Sequence, residues 1–462
     1  MSIGTIESQF RTLSETLETK YINNVVDTVA ETGTPTMQRI KPSAMVATQR
    51  DNILRFITAR ADNARLGKDM MRDFGEPNFM ESASLNYRYN PQDASANDFR
   101  GIDAVGRVGL HEIRTASAAG ILDVAKNVAQ DFYRGLDETP STMLHSDAAG
   151  QVGLVNGTPV ALTNDFANGS SYSSGSTSAT FAIDGFSIGI YREGMVIDIY
   201  TSAGVLIRSN LKIRHIDWDQ QAISVEVTSN SNVQNCDSIA NNHVIYRSGE
   251  KDQGFLTSFG EIFKETISSG DSWVGGVDRS TIENMYLIPQ MFRRNASTTV
   301  VAGQSQLDQA AEALAYQAGK DRTKPMTAIA GNKLITTIRN SIANHSISMN
   351  SSTSNATHKF GNTGVSYVHP ELNEIELVGD HTARNDRLIM LDTSDIEIFY
   401  GAMRGVEILT RNQGFGLFER MEGTNSVRGG SKIFKVEGTS WMTPIVHGMH
   451  RMVCIHNLET DI

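Results

Sequence analysis

The C-terminal part of the chain, from Gly379 to Ile462, limits the choice of fold more than any other part. It consists of short apolar runs separated by polar or glycine-rich turns. Runs of about four to eight residues bounded by turn residues are typical of β-strands. This region therefore predicts a sheet of short strands, with no residues arranged for chemistry. The predicted strands are Leu388–Leu391, Ile396–Tyr400, Phe415–Met421, Lys432–Gly438 and His450–Asn457.

The length and composition of the chain predict more than one domain. Its 462 residues exceed the roughly 250–300 residues at which a single hydrophobic core stops growing, so we expect two or three domains. Only 39% of the residues are hydrophobic, which favours extended or solvated parts over one compact body. Cys236 and Cys454 are too few for a disulfide framework, and this favours a reducing compartment.

Charge and hydropathy exclude several classes of protein. The formal net charge of −11 argues against a protein that binds DNA by neutralising phosphates, although it suits one that only encloses nucleic acid. Glu7, Glu15 and Glu18 lie where a signal peptide needs an apolar core, so no export is expected. No apolar run approaches the ~18–20 residues that span a bilayer, so no membrane partner is expected.

The N-terminal region predicts an arm. Apolar residues recur at helical spacing over residues 5–30, and Gly33 and Pro35 end this pattern. A second helix is predicted from Asp51 to about Leu66. Neither helix has enough apolar surface to form a core of its own.

A strand–turn–strand pattern extends from Asn78 to Arg114. The predicted strands are Ser84–Tyr89 and Val105–Ile113, joined by a polar segment. Two strands alone are marginally stable in water, so this hairpin has to pack on another surface. A neighbouring subunit is the favoured surface, and the alternative is a surface loop packed on its own chain.

The longest predicted helix covers residues 115–144, where apolar residues recur at steps of three and four. Gly135 and Pro140 interrupt this pattern, which predicts a kink or a two-part helix. Gly150 and Gly153 are expected to end it.

The region from Asn156 to Arg247 changes to a β pattern after a lead-in rich in Gly, Ser and Asn. Several short strands with closely spaced turns predict a small β-barrel or sandwich. Because a mixed α/β pattern resumes at Gly254, we interpret this region as a domain inserted into another domain. The predicted strands are Ala179–Ile183, Met195–Tyr200, Val205–Arg208, Leu211–Asp217, Ala222–Thr228 and His243–Arg247.

An α/β layer is predicted between this domain and the C-terminal strands. Ser305 is the expected N-cap of a helix that ends at Gly319. The strand MTAIAG, the helix NKLITTIRNSIAN and the strand Val365–Val368 follow.

Two groups of residues were weighed as metal sites. His450, Cys454 and His456 share one face of a predicted strand, with His447 just before it, but one strand face spreads its side chains apart. The preferred interpretation is a sheet with one polar face.

Asp217, Asp219 and Glu226 resemble a calcium loop in composition only, because the required glycine is missing and a hairpin turn explains both aspartates.

No motif predicts an enzyme. The chain has no Gly-x-Ser-x-Gly elbow, no phosphate-binding loop and no dinucleotide-binding fingerprint. The basic pairs Arg293–Arg294 and Arg384/Arg387 are interpreted as solvated. We therefore predict no catalytic, cofactor-binding or metal-binding residue and no cofactor.

The order of these elements resembles the major capsid proteins of tailed bacteriophages with the Hong Kong 97-type fold. The resemblance lies in the succession of arm, hairpin, long helix, α/β layer and C-terminal strands, and in the phrases LHSDAAGQVG and WVGGVDRS. It implies an α+β fold, with a small all-β barrel or sandwich domain inserted after the long helix.

The resemblance also implies an assignment of domains. In sequence order these are an N-terminal arm (1–70), the extended hairpin or E-loop with the start of the peripheral domain (71–114), the spine helix of the peripheral domain (115–155), the inserted β domain (156–248), the re-entry into the peripheral domain (249–300), the axial domain (301–384) and the C-terminal strands of the axial and peripheral domains (385–462).

The function implied is that of a structural protein. It would assemble with itself into hexamers and pentamers of an icosahedral head that encloses double-stranded DNA without sequence-specific binding. Further implied partners are a scaffolding protein, a portal and a decoration or cement protein. The implied location is the virion capsid, after assembly in the cytoplasm of the host bacterium.

A shell without covalent cross-links is expected. Some members of the family join this hairpin to a neighbouring subunit through a lysine–asparagine bond. The hairpin predicted at residues 78–114 contains no lysine, and the flanking ones are Lys68 and Lys126. Arginine cannot replace lysine as a nucleophile, because its guanidinium stays protonated.

Three alternatives stay open at this point. The first is a receptor- or carbohydrate-binding virion protein that uses aromatic residues of the β domain, such as Tyr191 and Trp218. The second is an encapsulin-type shell protein, and the third is a hydrolase, for which no nucleophile–base pair was found.

Overall fold

Two six-stranded sheets, a closed six-stranded barrel and two pairs of strands form the described part of the molecule. The structure is a computed structural model. It describes residues 13, 33–44, 51–59, 81–88, 99–109, 135–160, 177–229, 231–232, 235–236, 238–269, 274, 276–281, 287–294, 296, 298–318, 326–346, 365–369, 373–400, 407–408, 419–420 and 433–460.

Five helical segments of more than one residue lie within these residues, and none of the described helices is long and apolar enough to cross a membrane. They are α1 (Pro35–Arg39), α2 (135–145), α3 (Phe259–Ile262), α4 (Gln304–Ala318) and α5 (Asn332–Ser346).

The strands divide into an N-terminal, a barrel and a C-terminal group. The first group is β1 (Lys41–Ala44), β2 (Asp51–Ala59), β3 (Glu81–Arg88) and β4 (Arg100–Gly109). The second is β5 (Gly153–Val160), β6 (Ser178–Asp184), β7 (Val196–Tyr200), β8 (Leu206–Asp217), β9 (Ala222–Val227) and β10 (Val244–Arg247). The third is β11 (Gln290–Phe292), β12 (Val300–Val301), β13 (Met326–Gly331), β14 (Val365–His369), β15 (Asn373–Asp380), β16 (Leu388–Leu391), β17 (Ile396–Tyr400), β18 (Glu407–Ile408), β19 (Glu419–Arg420), β20 (Ile433–Val446), β21 (Val453–Ile455) and β22 (Leu458–Glu459).

The predicted hairpin at residues 78–114 is wrong in its pairing. β3 pairs antiparallel with β2, whereas β4 pairs along its whole length with β20 in a different sheet. The two-stranded ribbon is therefore made of β2 and β3, and the helix predicted from Asp51 to Leu66 is wrong over β2. The sequence DNILRFITA explains the strand, because β-branched and aromatic residues favour extended backbone.

β4 instead belongs to a sheet built around the long strand β20. β20 pairs with β4, β17, β18 and β19, and β1 adds to β17 in parallel. For β4 the structure thus agrees with the alternative that this segment packs on its own chain. Most of the helix predicted at residues 5–30 lies outside the described residues.

The described part of the predicted long helix is continuous. α2 runs through Pro140 without a break, which corrects the predicted interruption, and it ends at His145. Its face with Leu136, Met143 and Leu144 is buried, so packing holds the helix where a proline removes one backbone hydrogen bond. Residues 115–134 of the prediction lie outside the described part.

The inserted β region forms a closed barrel in the order β10-β5-β6-β9-β8-β7, which resolves the predicted choice between barrel and sandwich. β5 was missed, because its residues lie partly before and partly within the predicted lead-in. Gly153 at its start cannot carry a side chain, since a Cβ there would lie 2.3 Å from the hydroxyl oxygen of Tyr191. The Tyr191 hydroxyl donates to the Val152 carbonyl at 2.8 Å inside the apolar core.

The barrel should fold alone when it is cut at the observed boundaries. Its first and last strands are neighbours, since Leu154 pairs with Val244, so the fragment 151–250 begins and ends at one place. We expect this fragment to unfold cooperatively and to give a β-type circular dichroism spectrum. The matched fragment 156–248 lacks Val152 and Val155, both fully buried, and should lose about 3 kcal/mol or more. Thermal unfolding of the two fragments checks this, and equal stabilities or a disordered longer fragment would contradict it.

The second six-stranded sheet has the order β11-β21-β16-β13-β15-β14. All six residues of β13 are buried, and α4 and α5 contribute Leu307, Leu314, Leu334 and Ile338 to the same core. α4 begins at Gln304, so Ser305 lies in its first turn, and the prediction that Ser305 is the N-cap is wrong. The predicted C-cap Gly319 lies outside the described residues.

The C-terminal strands match the prediction in part. β16 and β17 have the predicted bounds, and β20 is longer than predicted. The strand predicted at His450–Asn457 is wrong as one element: a 3-10 turn at Met449–Arg451 precedes β21, and β22 follows. These strands serve both sheets, because β17 and β20 lie in one and β16 and β21 in the other.

Candidate functional site

Polar and charged side chains from five parts of the chain meet where α2, the barrel and the β13 sheet adjoin. They come from the segment around α1, from α2 and the residues after it, from α3, from the end of β15 with the segment after it, and from the residue after β21. We call this set the polar junction. Its members are Thr34, Thr36, Asp137, Ser141, His145, Asp147, Glu261, Asp380, Thr382, Arg384, Asp386, Arg387 and His456.

The short helix α1 is held by carboxylates from two other elements. The Thr34 N–H donates to Asp137 Oδ1 at 2.8 Å, and the Thr36 N–H donates to Asp380 Oδ2 at 2.9 Å. The first N–H groups of a helix have no partner within it, so acceptors there stabilise it. These bonds fix the N-terminal segment to α2 and to the end of β15.

Asp380 is the centre of this contact. It is fully buried, and its Oδ1 accepts hydrogen bonds from the N–H and the hydroxyl of Thr382, both at 2.8 Å. The Thr382 hydroxyl lies 2.6 Å from the Ser141 hydroxyl of α2. Burial alone would raise the pKa of Asp380, but His145 and these hydrogen bonds lower it. The carboxylate is therefore ionised at neutral pH.

Burial shifts the pKa values of the two titratable groups that α2 contributes to the polar junction in opposite directions. Burial raises the pKa of Asp137 to about 6, and burial lowers the pKa of His145 to about 4. His145 is thus neutral at pH 7, and its Nε2 lies 3.1 Å from the Thr36 hydroxyl.

α3 is fixed on the other side of the junction by its own caps. The Ser258 hydroxyl accepts from the Glu261 N–H at 3.3 Å, and the buried Arg279 donates to the Glu261 and Ile262 carbonyls at 2.7 and 3.0 Å. Glu261 Oε1 accepts from the Ala148 N–H at 3.1 Å, which ties α3 to the residues after α2.

The segment after β15 connects the β13 sheet to the barrel. Arg384 donates to both oxygens of Asp386, at 2.9 and 2.5 Å. Its guanidinium lies 5.2 Å from the centre of the Phe186 ring of the barrel, and the Asn385 N–H donates to the Gly185 carbonyl at 2.8 Å. Burial alone would raise the pKa of Asp386, but Arg384 lowers it to about 2.

The interpretation of Arg384 and Arg387 as solvated is wrong. Their side chains are only 14% and 12% exposed. The sequence contains the reason, because Asp386 supplies a compensating charge directly between them. A buried arginine is tolerated when such a partner is present.

A cavity of about 250 Å³ opens between these elements. Charged and titratable side chains of both signs line its wall: Asp147, Glu261, Glu265, Asp386, Lys264, Arg384, Arg387 and His456. The cavity therefore lies on the part of the polar junction that joins α3 to the end of β21.

The four residues weighed as a zinc site belong to separate elements of the chain. His447 Nε2 lies 3.7 Å from Glu397 Oε2 at the end of β20, His450 lies in the 3-10 turn, and Cys454 and His456 belong to the next strand and its end. Burial raises the pKa of Cys454 to about 12, so its thiol stays protonated. Among the described residues, no three His, Cys, Asp or Glu side chains are grouped to hold a metal.

The residues weighed as a calcium loop form a hairpin turn, as interpreted. Asp217 Oδ1 accepts from the N–H groups of Asp219 and Gln220, at 2.9 and 3.1 Å. Glu226 forms an ion pair with Arg214 on the adjacent strand instead.

Sequence analysis missed Asp137, His145 and Asp380. No motif connects Asp380 with Asp137 and His145 of α2, because Asp380 lies more than two hundred residues further along the chain and meets them only through packing. One local signal was available: Ser141 and His145 lie on the α2 face that buries Leu144, where polar residues need internal partners.

Comparisons with known proteins found similar structures but no similar sequences. No family model matches the chain, and no curated protein matches it. The solved structure of the cyanophage A-1(L) capsid asymmetric unit is 9% identical, with a TM-score of 0.45, and the match covers 92% of this chain and 93% of that one.

Two further phage structures are similar over comparable lengths. Gordonia phage Cozz gives 10% identity, a TM-score of 0.38 and coverage of 93% and 87% of the two chains. The satellite phage P4 procapsid, which includes a size determination (Sid) protein, gives 8% identity, a TM-score of 0.36 and coverage of 99% and 98%. The chain is thus similar, over nearly its whole length, to phage capsid structures.

Proposed function

We propose that this chain is a structural major capsid protein that assembles with itself into a closed icosahedral shell of hexamers and pentamers. The observation that carries the proposal is the ribbon of β2 and β3. Its strands pair with each other and with no other strand in the described ranges. An isolated two-stranded ribbon is marginally stable in water, so a second surface has to cover it, and a neighbouring subunit supplies one.

The N-terminal segment supports the same function. α1 and β1 lie on α2, β15 and β17 through hydrogen bonds and strand pairing, and Arg39 forms an ion pair with Glu376 of β15. The arm is thus anchored where it reaches the body of the subunit. Together with the sequence resemblance to tailed-phage capsid proteins, the anchored arm and the ribbon provide two elements for contacts between subunits.

The experiment that tests this function is a size measurement of the expressed protein. We expect megadalton particles by size-exclusion chromatography, and closed shells by electron microscopy, with a scaffolding protein co-expressed where it is needed. Stable obligate contacts typically bury ~2,000 Å² or more, and an exchanged ribbon and arm are suited to supply such areas. Discrete monomers under all these conditions would contradict the proposal.

The finer parts of the function follow from the same resemblance. We propose that the shell is the head of a tailed phage, built in the cytoplasm of the host bacterium, and that it encloses double-stranded DNA. The net charge of −11 supports enclosure without tight binding of phosphates. A scaffolding protein, a portal and a decoration protein are the proposed partners, and no enzymatic activity is proposed.

We further propose that non-covalent contacts hold the shell together. The absence of lysine from residues 78–114 does not support this proposal, because the ribbon is formed by β2 and β3. With the ribbon at residues 51–88, Lys68 lies in the sequence between its two strands. Lysine content therefore no longer excludes an isopeptide bond.

Denaturing gel electrophoresis of assembled particles checks the non-covalent shell. We expect one band near 50.5 kDa for the wild type and for Lys68→Arg, because arginine cannot act as a nucleophile and no bond is there to lose. Lys126→Arg, outside the ribbon, is the matched control. Covalent multimers that disappear in Lys68→Arg and persist in Lys126→Arg would overturn the proposal.

The alternative of a carbohydrate-binding virion protein has little support in the barrel. Tyr191 is fully buried in the barrel core, while Trp218 is 60% exposed at the turn between β8 and β9. A sugar platform requires several exposed aromatic rings side by side. An encapsulin-type shell would have the same ribbon contact between subunits. It differs from a phage head in its contents, because it encloses a cellular protein in place of DNA.

A further inference from the structure

The turn between β7 and β8 of the barrel presents large aliphatic side chains to solvent. Val205 is 60% exposed and Leu206 is 39% exposed. In the part of the chain that the structure describes, only Trp218 and Val301 are further large hydrophobic residues with exposed side chains. Ile207 follows and is partly exposed, so three aliphatic residues stand in a row where a strand on a barrel normally alternates apolar and polar residues. Packing in the barrel core therefore does not explain this pattern.

Backbone groups and one hydroxyl, and not the aliphatic side chains, hold this turn together. The Thr201 N–H donates to the Val205 carbonyl at 2.8 Å, and the Gly204 N–H donates to the Thr201 carbonyl at 2.9 Å. The Val205 N–H donates to Thr201 Oγ1 at 3.1 Å. None of these bonds needs an aliphatic side chain at residues 205 and 206. The fold of the barrel thus tolerates polar residues there, and the exposed aliphatic pair points to a contact outside the barrel.

Charges of both signs border the aliphatic pair. Tyr200 pairs with Leu206 across the two strands, and Lys251 Nζ lies 5.1 Å from the centre of the Tyr200 ring. Lys251 Nζ also lies 3.4 Å from Asp252 Oδ2, and the Asp252 side chain is 69% exposed. An apolar centre with a polar rim is typical of an interface between proteins. Because this rim carries a cation beside an anion, it is complementary in charge to a second copy of itself.

The size of this surface indicates which kind of partner covers it. A specific interface between two independent proteins buries about 1,000 Å² or more in total, and two aliphatic side chains with a short rim bury much less. A contact of this size is occupied when other contacts already hold the two molecules side by side, because the effective concentration is then high. The proposed assembly of many copies provides this condition, and the inference rests on it. A second copy of this chain is therefore favoured over an independent partner.

We propose that the β7–β8 turn docks on the same turn of a second copy of this chain, with Val205 and Leu206 at the centre of the contact. A surface that contacts itself across a two-fold axis places its central residues opposite their own copies. The rim residues cross over, so Lys251 of one copy faces Asp252 of the second copy. This contact joins the barrels of neighbouring subunits and is separate from the contact made by the ribbon of β2 and β3.

Cysteine cross-linking of assembled full-length protein tests the contact. Val205 lies near the proposed axis, so the two thiols of Val205→Cys should meet and form a disulfide under mild oxidation. Trp218→Cys is the matched control, because Trp218 is equally exposed but lies at the other end of β8. The native Cys236 and Cys454 are buried and give no background. We expect a covalent dimer of Val205→Cys on a non-reducing denaturing gel, and only monomer for Trp218→Cys.

A second measurement does not depend on disulfide geometry. The double variant Val205→Ser/Leu206→Ser keeps the hydrogen bonds of the turn, so its subunit should fold like the wild type. Its subunits should associate on the order of tenfold or more weakly, the scale of one buried aliphatic side chain. Urea dissociation of particles, followed by light scattering, measures this loss against the wild type and Trp218→Ser. Circular dichroism of dispersed subunits shows that the barrel is folded.

The outcomes separate this contact from the proposed shell. Particles whose Val205→Cys variant gives no more dimer than Trp218→Cys, and whose serine variant dissociates at the same urea concentration as the wild type, would show that the contact is wrong. Weaker particles of the serine variant without a dimer would also contradict the two-fold arrangement. Failure of the shell function shows itself differently, because the wild type then forms no particles. In that case Val205→Cys subunits that stay monomeric under oxidation would contradict the contact as well.

Discussion

A chain in which a short glycine–serine linker replaces residues 51–88 is expected to remain a soluble, folded subunit that no longer forms shells. Asp51 and Arg88 are paired across the ribbon, so a short linker can join the two ends. The deletion leaves the pairing of β4 with β20 and of β1 with β17 intact, and the subunit keeps both six-stranded sheets.

The expected effect on assembly is large, because the association constant depends exponentially on the free energy of the contacts between subunits. Losing about 4 kcal/mol of contact free energy per subunit lowers an association constant roughly a thousandfold. Electron microscopy and size-exclusion chromatography of the deletion variant measure this loss, with circular dichroism to show that the subunit is folded.

A control deletion separates assembly from folding. Removing residues 84–108 takes away nearly all of β4 and with it the partner of β20 from Phe434 to Met442. This variant is expected to be insoluble, because nine consecutive residues of β20 lose their pairing strand and become an exposed edge. Shells formed by the 51–88 deletion would show that the ribbon is not a contact between subunits.

Local patterns predicted the barrel, apart from β5, and part of the C-terminal strands. The turn at Asp217–Gln220 and the bounds of β16 and β17 were visible because short strands and their turns are encoded in neighbouring residues. Closed barrels repeat this signal several times, so errors at single strand ends do not change the architecture.

Strand pairing could not be predicted in the same way. The apolar positions of β2 fit both a helical and an extended period over a short run, which led to the wrong helix at Asp51–Leu66. β4 and β20 are more than three hundred residues apart in sequence, and neither strand has a sequence pattern that identifies the strand with which it pairs. The sequence therefore predicted a hairpin of β3 and β4, whereas β3 pairs with β2 and β4 pairs with β20.

The polar junction was the least predictable part. Arg384 and Asp386 are two residues apart, so their pairing was open to inspection, but burial of the pair depends on Phe186 of the barrel. Asp380, His145 and Thr36 belong to three separate elements and come into contact only in the folded chain. Such contacts follow from the packing of the whole chain and leave no local pattern.

Asp380→Ala is expected to be among the most destabilising single substitutions in the chain. It leaves the buried N–H groups of Thr36 and Thr382 without an acceptor, and the Thr382 hydroxyl keeps only the Ser141 hydroxyl as a partner. Each unsatisfied buried group costs about 1–3 kcal/mol, and breaking a buried charged contact costs about 3–5 kcal/mol in all. We therefore expect a loss of about 3–5 kcal/mol in the free energy of unfolding.

Asp380→Asn should lose less than the alanine variant, because the amide keeps one acceptor oxygen while its NH₂ group faces other donors. Asp219→Ala is the matched control: Asp219 is exposed in the barrel turn, and its removal should change stability by no more than about 0.5 kcal/mol. Denaturant unfolding of dispersed subunits measures all three variants.

The order of the three variants distinguishes a specific role of the carboxylate from a general effect of mutation. A charged acceptor that anchors α1 predicts a decreasing loss from alanine to asparagine to the exposed control. It also predicts that proteolysis near α1 becomes faster in Asp380→Ala, since the Thr36 N–H loses the bond that fixes it to β15. If Asp380→Ala is as stable as Asp219→Ala, Asp380 does not hold the N-terminal segment, and the anchoring of the arm must come from β1 and the Arg39–Glu376 ion pair instead.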